Sequence, residues 1–167
     1  MSSTDKIYSI DDIHVMDDAV GFIRRRPSMF LTPGVSAENI AEALAHDALL
    51  LGSRRVLIAR EQDWMIVSAD VDWLRVSGIY RHGLTPQEIF RRIVAFPEDG
   101  VNAMRHEILA TAFATDVVSA TPSERFIVSG AVSDDAAIWP SLCPDGSARG
   151  VAFRGINPEV HVGENDI

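Results

Sequence analysis

The stretch IHVMDDAVGFIRRRPSMFL, residues 13–31, decides how the rest of the chain is read. Val20, Phe22 and Ile23 recur at a short helical spacing over residues 17–26, with acidic residues at the start and Arg24, Arg25 and Arg26 at the end. That order complements a helix dipole, and Pro27 stops the helix. The arginine run has two readings: a solvated helix end, or a contact to phosphate or to a partner.

Around this stretch the chain reads as one α+β domain. Its 167 residues, 47% hydrophobic and 23% charged, are enough for a substantial core. Net charge is −9, and the five arginines at 24–26 and 91–92 make two local spots rather than a basic face, so no direct nucleic-acid binding is expected. A single cysteine, Cys143, leaves no intrachain disulfide or multi-cysteine metal site and suits a reducing compartment. With no signal-peptide-like start and no long apolar run, the expectation is a cytoplasmic protein without membrane contact. Residues 1–12 read as a loose segment, 13–160 as the domain and 161–167 as a tail.

Ser36 can cap a helix over 37–51 that ends at Gly52, with Ile40, Leu44, Ala48 and Leu51 on one face. RRVLIAR (54–60) and DWMIVSA (63–69) read as a hairpin, and 71–83 has room for a short strand. TPQEIFRRIVAF (85–96) opens with a Thr cap, Pro at the first position and Glu88, predicting a third helix; 101–115 reads as a fourth. Segments 116–121, 124–132, 136–142 and 149–156 then read as short strands in an antiparallel meander. Helices first and strands second favour two layers.

Residues 13–31 also resemble the N-terminal signature of the ATPase domain of gyrase B and its topoisomerase relatives, the GHKL family with the Bergerat fold. The family pattern is an Ile-x-Val-Leu start, a short helix and an Arg-Lys-Arg-Pro-Gly-Met-Tyr-Ile run. Ile13, Val15, Met16, Val20, Arg24, Arg26, Pro27, Met29, Phe30 and Leu31 match it, and Ser28 replaces a glycine. The later order of elements is similar as well. The resemblance implies helices on one face of a mixed, mostly antiparallel sheet, with ATP held between helices and sheet.

The same resemblance implies losses at the chemical positions. Where the family has a water-activating glutamate and, four residues on, a magnesium-holding asparagine, this chain has Glu42 and His46; imidazole suits magnesium poorly. Asp70 matches the aspartate of the Asp-x-Gly-x-Gly motif that accepts from adenine, but Val71 and Trp73 stand where the family would have small residues, and the indole would fill space the base needs. The phosphate-cradling lid retains only Gly100 and gains Glu98 and Asp99, while Val151 and Phe153 survive without the preceding threonines. Glu42, His46, Asp70 and Trp73 are therefore candidate lining of a remnant ligand cleft. The expected function is a non-hydrolysing, degenerate ATPase-like binding or regulatory module with a protein partner, no catalytic residue, no metal and no cofactor. The alternative is a protein that still takes a nucleotide or another small ligand in that cleft.

Plainer readings stand beside these. Glu42 suits a solvated helix face and His46 a surface or pocket lining. Asp70 suits a strand-end cap or a turn, and Trp64 and Trp73 suit the core. His82, His106 and His161 have no metal-defining spacing.

Overall fold

The computed structural model describes residues 18–76 and 83–157. The expected loose segment at 1–12, the tail at 161–167, the Ile13–Met16 part of the signature, His82 and His161 lie outside the described residues. The described part is α+β: four helices and a five-stranded antiparallel sheet. Helix α1, Ala19–Arg25, is capped by the Asp18 side chain accepting from the Gly21 N–H, and a 3₁₀ turn at Pro27–Met29 follows. All three arginines of the run are exposed, and two of them also make structural contacts. Arg24 donates to the Ala112 and Thr111 carbonyls at 2.6 and 3.2 Å, satisfying groups at the end of another helix, and Arg26 lies over the Phe22 ring.

Helix α2, Ala37–Leu50, starts at Ser36, whose side chain accepts from the Asn39 N–H. It turns off at Gly52, whose φ of +103° favours glycine. Strands β1, Val56–Glu61, and β2, Trp64–Ala69, form the expected hairpin. No strand forms over residues 71–76.

The third and fourth helices are much shorter than their sequence patterns. Helix α3 is only Pro86–Ile89, behind a capping box of Thr85 and Glu88, and α4 is only Glu107–Phe113. The intervening chain is used differently: Phe96 N–H donates to Ala103 and Arg105 N–H donates to Val94, around a bridge between Ala95 and Met104. An extended 94–96 segment also suits the residue before Pro97, which disfavours helix. Residues 103–105 pair back to this segment and cannot also be helical.

Strands β3, Asp116–Ala120, and β4, Arg125–Ser129, form a second hairpin. The expected strand at 136–142 is instead a 3₁₀ turn at Trp139–Ser141, where Pro140 has no N–H for a ladder. Strand β5, Arg149–Arg154, then inserts between the two hairpins, giving the order β1-β2-β5-β3-β4. Neither the meander nor the mixed sheet is found: every pairing of these five strands is antiparallel, and the last strand is central.

Alternation along the strands divides the core. Met65, Val67, Ala69, Val117, Val151 and Phe153 face α1, α2 and α4. Trp64, Ile66, Val118, Ala120 and Ala152 face the other way, under Val132, Ile138, Trp139 and Leu142 of the β4–β5 connection. This double cover explains why β2 and β3 are buried throughout while the edge strands β1 and β4 are partly exposed. No helix among the described residues is long and apolar enough to cross a membrane.

The connection comes so close because small residues lie beneath it. Ser68 and Ala120 flank Gly150 in register, and Ser68 donates to the Leu142 carbonyl at 2.8 Å. A Cβ on Gly150 would lie 1.9 Å from that oxygen. Gly150→Ala is therefore expected to destabilise the fold by about 1–3 kcal/mol, read as a lower urea midpoint; an unchanged midpoint would contradict the close approach.

Candidate functional site

The four cleft candidates sit in different surroundings. Glu42 and His46, one turn apart on α2, are both exposed, and His46 Nε2 lies 2.7 Å from Asp99 Oδ1 in the Pro97–Asp99 turn. Asp70 closes the open end of the first hairpin. Its Oδ1 accepts from the Arg54 and Arg55 N–H groups, and its own N–H donates to the Arg55 carbonyl. Those backbone donors, Arg55 foremost, hold its carboxyl below the ordinary value. The arrangement is that of a strand-end cap.

Trp73 is fully buried in the helix-side core, and its Nε1–H donates to Glu107 Oε1 at 3.0 Å. It belongs to a charged network that sequence reading missed. Asp47 on α2 and Glu107 at the start of α4 are fully buried, with Arg105 almost so. Arg105 forks onto Glu107 with contacts of 2.6 and 3.2 Å, donates to the Trp73 carbonyl, and lies 3.7 Å from Asp47 Oδ2. Its guanidinium also covers the Phe96 ring. His106 grips Asp47 twice: its N–H donates to Oδ2 at 2.7 Å, and Nδ1 lies 2.6 Å from Oδ1.

Burial, and then the neighbouring Glu107 charge, push the Asp47 carboxyl up to about 6, against the pull of His106. Burial works against a charged His106, but the hydrogen bond and charge of Asp47 outweigh it, so the imidazole titrates above its ordinary value. This network belongs to the helix-side core.

A second network lies at one end of the sheet. Arg149 on β5 is fully buried, with a bidentate grip on Asp72 at 2.8 and 2.9 Å, a bond to Ser119 Oγ and a longer contact to Glu124. Glu124 also accepts from Arg75 at 2.5 Å, the main reason its carboxyl titrates below the ordinary value. Beside this network opens a pocket of about 590 Å³, with Asp72, Arg75, Glu124 and Ser147 in its lining. A pocket of about 520 Å³ adjoins it across Thr121–Glu124, and one of about 470 Å³ lies between β1 and Pro144. None of the three is lined by Glu42, His46, Asp70 or Trp73.

Among the described residues no group of three or more His, Cys, Asp or Glu side chains could hold a metal ion. Burial raises the Cys143 thiol above its ordinary value, which disfavours a thiolate nucleophile. Comparison with protein-family models, curated proteins and solved structures finds no match for the chain.

One missed residue did leave a signal. Asp47 stands three positions after Leu44 on the otherwise apolar face of α2, where a charge must find a buried partner. Arg105, His106 and Glu107 were hidden inside an overlong helix prediction, and Asp72 and Arg149 lie too far apart in sequence to suggest each other.

The His106–Asp47 pair has a pH consequence. Both groups hold protons more tightly folded than unfolded, so their contribution is present at low pH. It is lost as pH rises from the ordinary Asp value of 3.8 through about 6, and then past the ordinary His value of 6.5. Unfolding free energy is expected to fall by about 1–2 kcal/mol between pH 5 and pH 8 from Asp47 alone, and His106→Gln, which removes the pull holding the Asp47 carboxyl down, is expected to move that fall to higher pH. Denaturant titrations at several pH values check this; a fall over the same pH range in the two proteins would refute it.

Proposed function

We propose that this chain is a non-hydrolysing, GHKL ATPase-like domain that acts as a binding or regulatory module for a protein partner. The observation that carries the reading is the Asp72–Arg149 pair. Counted from Asp70, the glycines of Asp-x-Gly-x-Gly fall on Asp72 and Leu74 rather than on Val71 and Trp73. Arg149 lies just ahead of Val151 and Phe153, where the family has its Thr-Gly-Thr turn. Two departures from nucleotide-holding motifs are thus bonded to each other, with Arg149 fully buried.

The rest of the helix side supports the same reading. Leu74 and Trp73 are core residues, which removes the close backbone approach that paired glycines permit. Glu42 is exposed, and its neighbour His46 is engaged by Asp99, which places a carboxylate where a phosphate lid would need donors. The single cysteine favours a reducing compartment, and we place the module in the cytoplasm.

A second reading, binding of a nucleotide or another small ligand without turnover, draws on the 590 Å³ pocket beside Asp72 and Arg75. Calorimetric titration with ATP and magnesium, together with a phosphate-release assay, is expected to show neither saturable binding at sub-millimolar concentration nor turnover. Turnover would overturn the first reading. A nucleotide-dependent rise in melting temperature without turnover would favour the second, since a ligand of the native state alone must stabilise it.

A further inference from the structure

The sheet face away from the helices carries an aromatic–acidic pocket that the ATPase-like reading does not use. Trp139, in the 3₁₀ turn of the β4–β5 connection, is buried, and its Nε1–H is held by the Ser133 carbonyl at 2.9 Å. The indole orientation is therefore set by the chain. Over its face, 5.1 Å from the ring centroid, lies the guanidinium of Arg125, an exposed residue at the start of β4. The surrounding pocket, about 520 Å³, has apolar walls at Ala120, Pro122 and Pro140 and carboxylates at Glu124, Asp134 and Asp135.

The charges in this pocket are unequal. Glu124 is engaged by Arg75 and Arg149, and Asp135 accepts from the Ser133 hydroxyl while keeping its charge, its carboxyl held below the ordinary value by that bond. Asp134 and Asp135 therefore add two negative charges to a lining whose one cation, Arg125, rests on the indole; among the described residues Arg125 has no carboxylate partner within 4 Å.

We infer that this pocket receives an arginine side chain from a partner peptide, and that Arg125 is the internal occupant displaced on binding. A rigid indole face, nearby carboxylates and apolar walls together suit a planar, weakly hydrated guanidinium better than an ammonium. The net charge of −9 favours the approach of a cationic segment. The inference does not depend on the ATPase-like reading of the opposite side of the sheet.

Titration of a blocked Gly-Arg-Gly peptide into the full chain, followed by calorimetry at moderate salt, tests it. Arg125→Ala is expected to tighten binding about twofold to fivefold, the scale of one freed cation–π contact at an exposed residue. The Asp134→Asn/Asp135→Asn double variant is expected to weaken binding at least about tenfold, two charge contacts being lost. A citrulline peptide, isosteric but uncharged, is expected not to bind, and free L-arginine to bind more weakly because its carboxylate meets the acidic wall. All variants lie at exposed positions, and matching melting curves establish that they fold. No saturable binding to Arg125→Ala, equal binding of the citrulline peptide, or indifference to the double substitution would each overturn the inference.

Discussion

The central position of β5 is the constraint on which the rest of the structure depends. The β1–β2 and β3–β4 hairpins are local and can close on their own turns, but they share no edge. Only β5, the last described strand, joins them, pairing with β2 on one side and β3 on the other. Its residues divide the work. Val151 and Phe153 enter the helix-side core, Ala152 enters the opposite core, and Gly150 admits the Leu142 carbonyl. Arg149 and Arg154 tie the two ends to carboxylates of other segments. Pairing of this kind closes long loops, so the sheet is completed at high entropic cost and must be compensated by burial on both faces.

That demand shapes the helix side as well. The buried Asp47, Arg105 and Glu107 lock α2 to α4 through the segment before α4, and each charge is satisfied by a partner in the same group. Such a group adds little stability relative to a well-packed apolar one, yet losing one member leaves an uncompensated buried charge. It therefore fixes the mutual position of the helices more than it strengthens them. Trp73, donating to Glu107 from the turn after β2, extends the same fixing to the sheet.

Legibility in the sequence followed the range of the interactions. Local chemistry was readable: the Ser36 and Thr85 caps, the stop at Gly52 and the first hairpin are each set by residues within a few positions. The extents of α3 and α4 were not, because pairing of 94–96 with 103–105 overrides a helical pattern that both segments carry. Burial of the 136–142 segment was visible as hydrophobicity, but a 3₁₀ turn and a buried strand share that signal once both faces of a sheet are covered. Among the site residues, the cap role of Asp70 and the core role of Trp73 were among the readings the residues allowed. The Asp72–Arg149 pair joins residues 77 positions apart, and no local pattern announces it.

The two sides of the sheet consequently differ in what their polar groups are free to do. On the helix side, Asp47, Glu107, Arg105 and His106 bond to one another, so their charges hold the chain together and offer little to a ligand. At the sheet end, Arg149 is equally committed to Asp72 and Ser119. On the far face, Arg125 is held by a ring rather than by a carboxylate, and a cation–π contact at an exposed residue is worth only about 0.5–1 kcal/mol. A competing cation can displace an interaction of that size, whereas one bidentate buried ion pair resists displacement because each partner would be stranded without water. Exchange chemistry therefore belongs to the loop-covered face, and the helix face serves as the rigid frame behind it.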